Sequence, residues 1–111
     1  MPRPGRVIVH GRSMVPTYAD GDVLLVLWGA PVPLWRVAVV RLPDRPLAVK
    51  RVRRRGVTGR WWVEGDAPDA STDSRTLGWL PRDAVCGLVV GRLYRLPPRP
   101  GGTSGQAARD R

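Results

Sequence analysis

The stretch Leu47–Arg55, "LAVKRVRRR", decides how the rest of the chain is read. Read as a strand, it alternates its side chains between two faces. Ala48, Lys50 and Val52 share one face, and Val49, Arg51 and Arg53 share the other. Lys50 thus sits between two small apolar residues on a face suited to pointing inward. It is also the only lysine among 19 Lys and Arg residues. A desolvated ammonium gives up its proton readily, whereas a guanidinium does not. A neutral amine held in a dry site can act as a general base. The plainer reading is chance survival of one lysine in an arginine-biased chain.

Similar runs flank this strand. "RVIVH" (6–10), "DVLLVLW" (22–28), "RVAVVRL" (36–42), "RWWVEG" (60–65) and "AVCGLVVGRLYRL" (84–96) all read as strands. Turn signals separate them: Ala19-Asp20-Gly21, Pro31 to Pro33, Pro43 to Pro46 and Gly56 to Gly59. Only 13–20 suits a short helix, a helical turn following Ser13. The expected fold is mainly β: a single compact, curled antiparallel domain over residues 1–96. From Pro97 to Arg111 the chain lacks apolar periodicity, and this segment is expected to be a disordered tail. No internal repeat is evident.

With 111 residues, one domain and one modest core are the natural expectation. No apolar run reaches the length of a membrane span, and no signal-peptide segment precedes Ser13. The expectation is a cytoplasmic protein, with peripheral contact at a membrane surface left open. One cysteine, Cys86, excludes an internal disulfide. A formal charge of +10 points to an acidic partner, although a genome preferring GC-rich codons gives the same excess. The five Trp and two Tyr are not interleaved with arginine in sequence, so nucleic-acid binding is not expected. One His and one Cys do not make a zinc site, and no phosphate-binding glycine loop occurs. No metal or cofactor is expected.

A second stretch, "VHGRSMVPTYADGDVLLV" (9–26), places Ser13 in a turn ahead of an apolar run. Ser13 is either a turn residue or a nucleophile, and a nucleophilic serine needs a base. His10 is the only histidine, and nothing singles out a carboxylate to orient it. The third notable segment, "GDAPDASTDSRTLGWLPRDAVCG" (65–87), carries Asp66, Asp69, Ser71, Asp73, Ser74 and Arg75. By composition it is a solvated loop.

Taken in order, "GRSMVPT", "AVKRV" and "GDAPDASTDSRTLG" resemble the type I signal peptidase family of serine–lysine endopeptidases. The resemblance extends over most of residues 7–96. It implies a signal-peptidase-like catalytic core with Ser13 as nucleophile and Lys50 as general base. By the same resemblance Ser71 orients the lysine amine, and Asp73 and Arg75 brace the site from behind. Gly65 and Asp66 begin that box. Gly11, Met14 and Pro16 shape the oxyanion and substrate groove. Two departures stand out. Gly11 supplies no hydroxyl to an oxyanion, leaving that role to the Ser13 N–H, and Ala67 stands where the family usually has Asn.

The implied activity is removal of an N-terminal leader from a precursor protein, without cofactor, by a monomer. The short length and missing anchor are similar to the small proteases that trim the leader of nickel-containing superoxide dismutase. The nickel would then belong to the substrate. The alternatives are a related peptidase acting on another precursor, or a small basic β-barrel that binds nucleic acid. Self-cleaving repressors share the serine–lysine pair, but they need a cleavable Ala-Gly or Cys-Gly bond ahead of the serine. Here Cys86-Gly87 lies behind Lys50.

Overall fold

The apolar runs pair into one open antiparallel sheet in the computed structural model, which describes residues 1–97. Its strands are β1 (Arg3–Ile8), β2 (Asp22–Trp28), β3 (Val37–Arg41), β4 (Leu47–Arg55), β5 (Trp61–Glu64) and β6 (Val85–Arg95). They lie in the order β1-β2-β6-β3-β4-β5. The mainly β, single-domain expectation is what the chain adopts. The tail expected beyond Pro97 falls outside the described residues.

Two apolar clusters account for the burial patterns. Val37 and Val39 join Met14, Leu24, Val26 and Val89 in one. Ala38 and Val40 join Val52, Trp61, Val63 and Leu80 in the other. Strand β3 therefore has apolar cover on both faces, which is why its four valine and alanine positions are all buried. Each fully buried aliphatic side chain contributes about 1.5–3 kcal/mol. Strand β4 alternates instead, and Lys50 falls on the face shared with Ala38, its partner in β3.

Three differences from the sequence reading have physical causes. Strand β1 begins at Arg3 and includes Pro4, because it is an edge strand and a missing N–H costs it no ladder bond. The turn around Ser13 makes a Val15 N–H to Arg12 O bond of 3.2 Å and a Tyr18 N–H to Met14 O bond of 2.9 Å but no helix. Pro16 lies inside that turn and has no N–H to donate. A short α-helix, α1 (Ser74–Leu77), forms where a solvated loop was expected, preceded by a 3-10 turn at Pro68–Ala70. The Asp73 carboxylate caps α1 by accepting from the Arg75 N–H at 3.0 Å.

Bulges also matter. Between Val52 and Arg54 the β4–β5 register slips by one residue, so Arg54 faces Trp62 and Arg55 faces Trp61. Arg53, Arg54 and Arg55 then stack over Trp35, Trp62 and Trp61. The arginines and tryptophans, separate in sequence, are interleaved in space.

Candidate active site

Ser13, Lys50, Ser71, Asp73 and Arg75 come from a turn, a strand and a helix cap. The fold brings them to one place. Ser13 and Lys50 line a single cleft of about 390 Å³, together with Val9, Gly11, Met14 and Ala48. Lys50 is 4% exposed. Its Nζ donates to Ser71 Oγ at 2.9 Å. No hydrogen bond joins Ser13 Oγ to Lys50 Nζ. Catalytic contacts commonly tighten only around bound substrate.

Polarity runs in one direction through this cluster. Ser71 Oγ donates its only proton to Asp73 Oδ2 at 2.6 Å, so it can only accept from Lys50. A neutral Lys50 would meet Ser71 with an N–H and keep its lone pair for another atom. Asp73 is wholly buried. It accepts from Gly65 N–H at 2.8 Å and from two nitrogens of Arg75, at 3.1 and 2.6 Å. Arg75 also donates to Gly65 O at 3.0 Å. Burial alone would raise the Asp73 pKa. The hydrogen bonds from Arg75, Ser71 and the Gly65 N–H outweigh it and hold the carboxyl well below its usual range.

Burial depresses the Lys50 pKa, and the Asp73 charge works against that shift. The charges of Arg45 and Arg75 add to the depression. An amine among apolar neighbours, near two guanidinium groups, is easier to keep neutral than one in water.

The turn carrying Ser13 is fixed from two sides. Met14 is fully buried in the cluster with Leu24 and Val26. Ala67 N–H donates to Ser13 O at 2.9 Å, a tie made by main-chain atoms alone. Gly11 takes φ +84° while its N–H donates to the Asp20 carboxylate at 2.8 Å. That conformation suits glycine. The Ser13 N–H makes no hydrogen bond among the described residues, leaving it free for an oxyanion. Pro16, expected beside the groove, is exposed and does not line the cleft. The chain bends away after Met14 and puts Pro16 on the outside of the turn.

Asp66 and Gly65, which the resemblance places at the start of the third segment, make contacts that the sequence did not show. Asp66 accepts from Arg51 Nε at 2.9 Å and Nη2 at 2.7 Å, and also from the Thr17 hydroxyl. This ties the Ser13 turn to β4, and Arg51 was visible only as a residue on the face opposite Lys50. At Gly65 a Cβ would overlap Ser71 Oγ and lie 2.6 Å from Ser13 O, so only glycine lets the two segments meet. Among the described residues no group of three or more His, Cys, Asp and Glu side chains gathers as a metal site would require. No helix among them is long and apolar enough to cross a membrane. Comparisons with protein-family models and with curated proteins each found no match.

Proposed function

We propose that the chain is a serine endopeptidase with a Ser13–Lys50 dyad that removes an N-terminal leader from a precursor protein. One observation carries this reading. The only lysine is buried, hydrogen-bonded to a serine that can only accept from it, and shares a cleft with Ser13.

In this mechanism Ser13 Oγ attacks the scissile carbonyl carbon while its proton passes to Lys50 Nζ. The oxyanion is received by the free Ser13 N–H, a contact worth roughly 3–4 kcal/mol in comparable sites. Lys50 then gives the proton to the departing amine, leaving an acyl ester on Ser13. Water attacks that ester with its proton taken by Lys50, and the proton returns to Ser13 Oγ. Ser71 and Asp73 hold the amine in place throughout.

A substrate would lie extended. Residues 47–50 of β4 are paired with β3 on one side, while β5 pairs only from Arg51 onward. An unpaired strand edge beside the cleft is suited to main-chain hydrogen bonding by a peptide. By family resemblance the precursor is a nickel-containing superoxide dismutase, and another precursor is the alternative. Incubation of purified protein with that precursor, followed by mass measurement, tests both levels. A trimmed product that disappears with Ser13→Ala supports the peptidase. Intact precursor together with an unlabelled Ser13 after a serine-directed acylating probe refutes it.

A further inference from the structure

Trp35 is a large aromatic side chain held at the surface by specific contacts. It is 58% exposed, and its φ of +73° lies in the left-handed region that bulky residues avoid. Such a conformation costs on the order of 1–3 kcal/mol and persists only where surroundings enforce it. Here they do. The Trp35 N–H donates to Val52 O at 2.7 Å, and Arg51 Nη1 donates to Trp35 O at 2.7 Å. The Arg53 guanidinium lies 4.5 Å from the ring centroid.

The face continues across the sheet. Arg53 reaches Glu64 at 3.3 Å, and Glu64 accepts from Trp62 Nε1 at 2.8 Å. Arg54 stacks 5.6 Å above Trp62, which meets the exposed Trp79 edge-on at 5.3 Å. Glu64 is the chain's only glutamate, and it is already engaged by Arg53 and Trp62. Arg54 is exposed and has no carboxylate partner among the described residues. The surface therefore offers aromatic rings and one unpaired guanidinium, that of Arg54, and none of these residues lines the Ser13 cleft.

We propose that this Trp35–Arg53–Arg54–Trp62 face is an exosite that docks an acidic segment of the polypeptide precursor. The peptidase reading above supplies only the partner's identity. Charge complementarity argues for an anion, since the chain carries +10 and Arg54, one of several arginines without a carboxylate partner among the described residues, stands here beside the tryptophan rings. The stacking argues for carboxylates over nucleobases. Bases stack on ring faces, and here the Arg53 and Arg54 guanidinium groups take one face each of Trp35 and Trp62, which reduces the area left for stacking. The edges of a stacked guanidinium remain able to pair with a carboxylate.

The test uses the full chain with Ser13 and Lys50 intact and a fluorescein-labelled decapeptide rich in Glu, read by anisotropy at low salt. Arg54→Glu and Trp35→Ala are each expected to weaken binding by about tenfold or more. Arg3→Glu, the same charge change on the opposite edge strand, is expected to weaken it less than threefold. Equal losses in Arg54→Glu and Arg3→Glu would reduce the effect to net charge and overturn the exosite. So would tighter binding of a single-stranded oligonucleotide or of anionic phospholipid vesicles through the same two residues. A parallel assay cleaves a short leader peptide and the same leader followed by an acidic segment. Arg54→Glu should leave the first unchanged and raise KM for the second. Peptide binding without any cleavage would sustain the exosite and sink the peptidase. Cleavage with no acidic preference would do the reverse.

Discussion

Lys50 Nζ stands 2.9 Å from Ser71 Oγ, and that hydroxyl commits its single hydrogen to Asp73. The relationship fixes which way each proton points. It gives the buried amine one hydrogen-bond acceptor and leaves the rest of its valence aimed elsewhere. The predictions below follow from that arrangement and from the packing around it.

Ser13→Ala and Lys50→Ala should each reduce precursor cleavage by at least about 10⁴-fold, because the two act as a unit. The double variant should be no worse than either single one. Lys50→Arg should be equally inactive, since guanidinium cannot deprotonate near neutral pH. Cleavage rates on purified variants, with circular dichroism to confirm folding, provide the check.

Activity should rise with pH along one ionisation whose midpoint falls below the ordinary lysine value of about 10.4. The sign for stability follows from the same shift. With the folded pKa depressed, the unfolded chain binds more protons between the two values, so stability rises with pH across that window. Lys50→Met should therefore abolish cleavage yet raise stability at neutral pH by about 1 kcal/mol, removing a buried amine at little cost in volume. A flat rate profile from pH 5 to 9 would contradict the proposal.

Asp73→Asn should cost about 3 kcal/mol, because Arg75 and the Gly65 N–H lose a buried anion. Asp73 also raises the Lys50 pKa, so its neutralisation should move the midpoint of the rate profile to lower pH while the maximal rate drops. In the wild-type chain the depressed Asp73 pKa contributes stability above about pH 4 that is lost as pH falls further. Acid titration of both proteins by near-ultraviolet circular dichroism measures the difference.

Gly65→Ala should be more damaging than its size suggests. The added methyl would stand 2.6 Å from Ser13 O and 2.7 Å from Ser71 Cβ, and backbone must move to admit it. A loss of about 1–3 kcal/mol is expected, with a fall in cleavage rate. Asp66→Ala should slow cleavage through the Ser13 turn instead, by releasing Thr17 and Arg51 together. Denaturant unfolding and steady-state kinetics on the two variants separate the effects.

Much of the sheet was legible because alternation around Lys50 and the apolar runs at 22–28 and 37–41 carry their period in adjacent residues. The burial of Asp73 and Ser74 was not. A polar run reads as solvated unless its partners are known, and those partners are the Gly65 and Val63 main-chain N–H groups, which no side-chain pattern reports. The stacking of arginine on tryptophan was hidden for two reasons. Arg53 keeps the face that alternation gives it, but Trp35 lies in a separate turn of the chain, and the bulge after Val52 brings Arg54 onto that same face, over Trp62. The Ser13 turn looked helical because local spacing cannot report that Met14 anchors it in the core.

An open sheet has two raw margins, and a margin is an invitation to stack on a neighbour. In this chain β1 meets that hazard with a proline and two arginines, and β5 is only four residues long. Replacing Pro4 by valine would restore a missing donor to the β1 margin, and concentrated solutions of that variant should associate where the parent stays dispersed. Light scattering would register the change, which arises from solubility and leaves the chemistry of the cleft untouched.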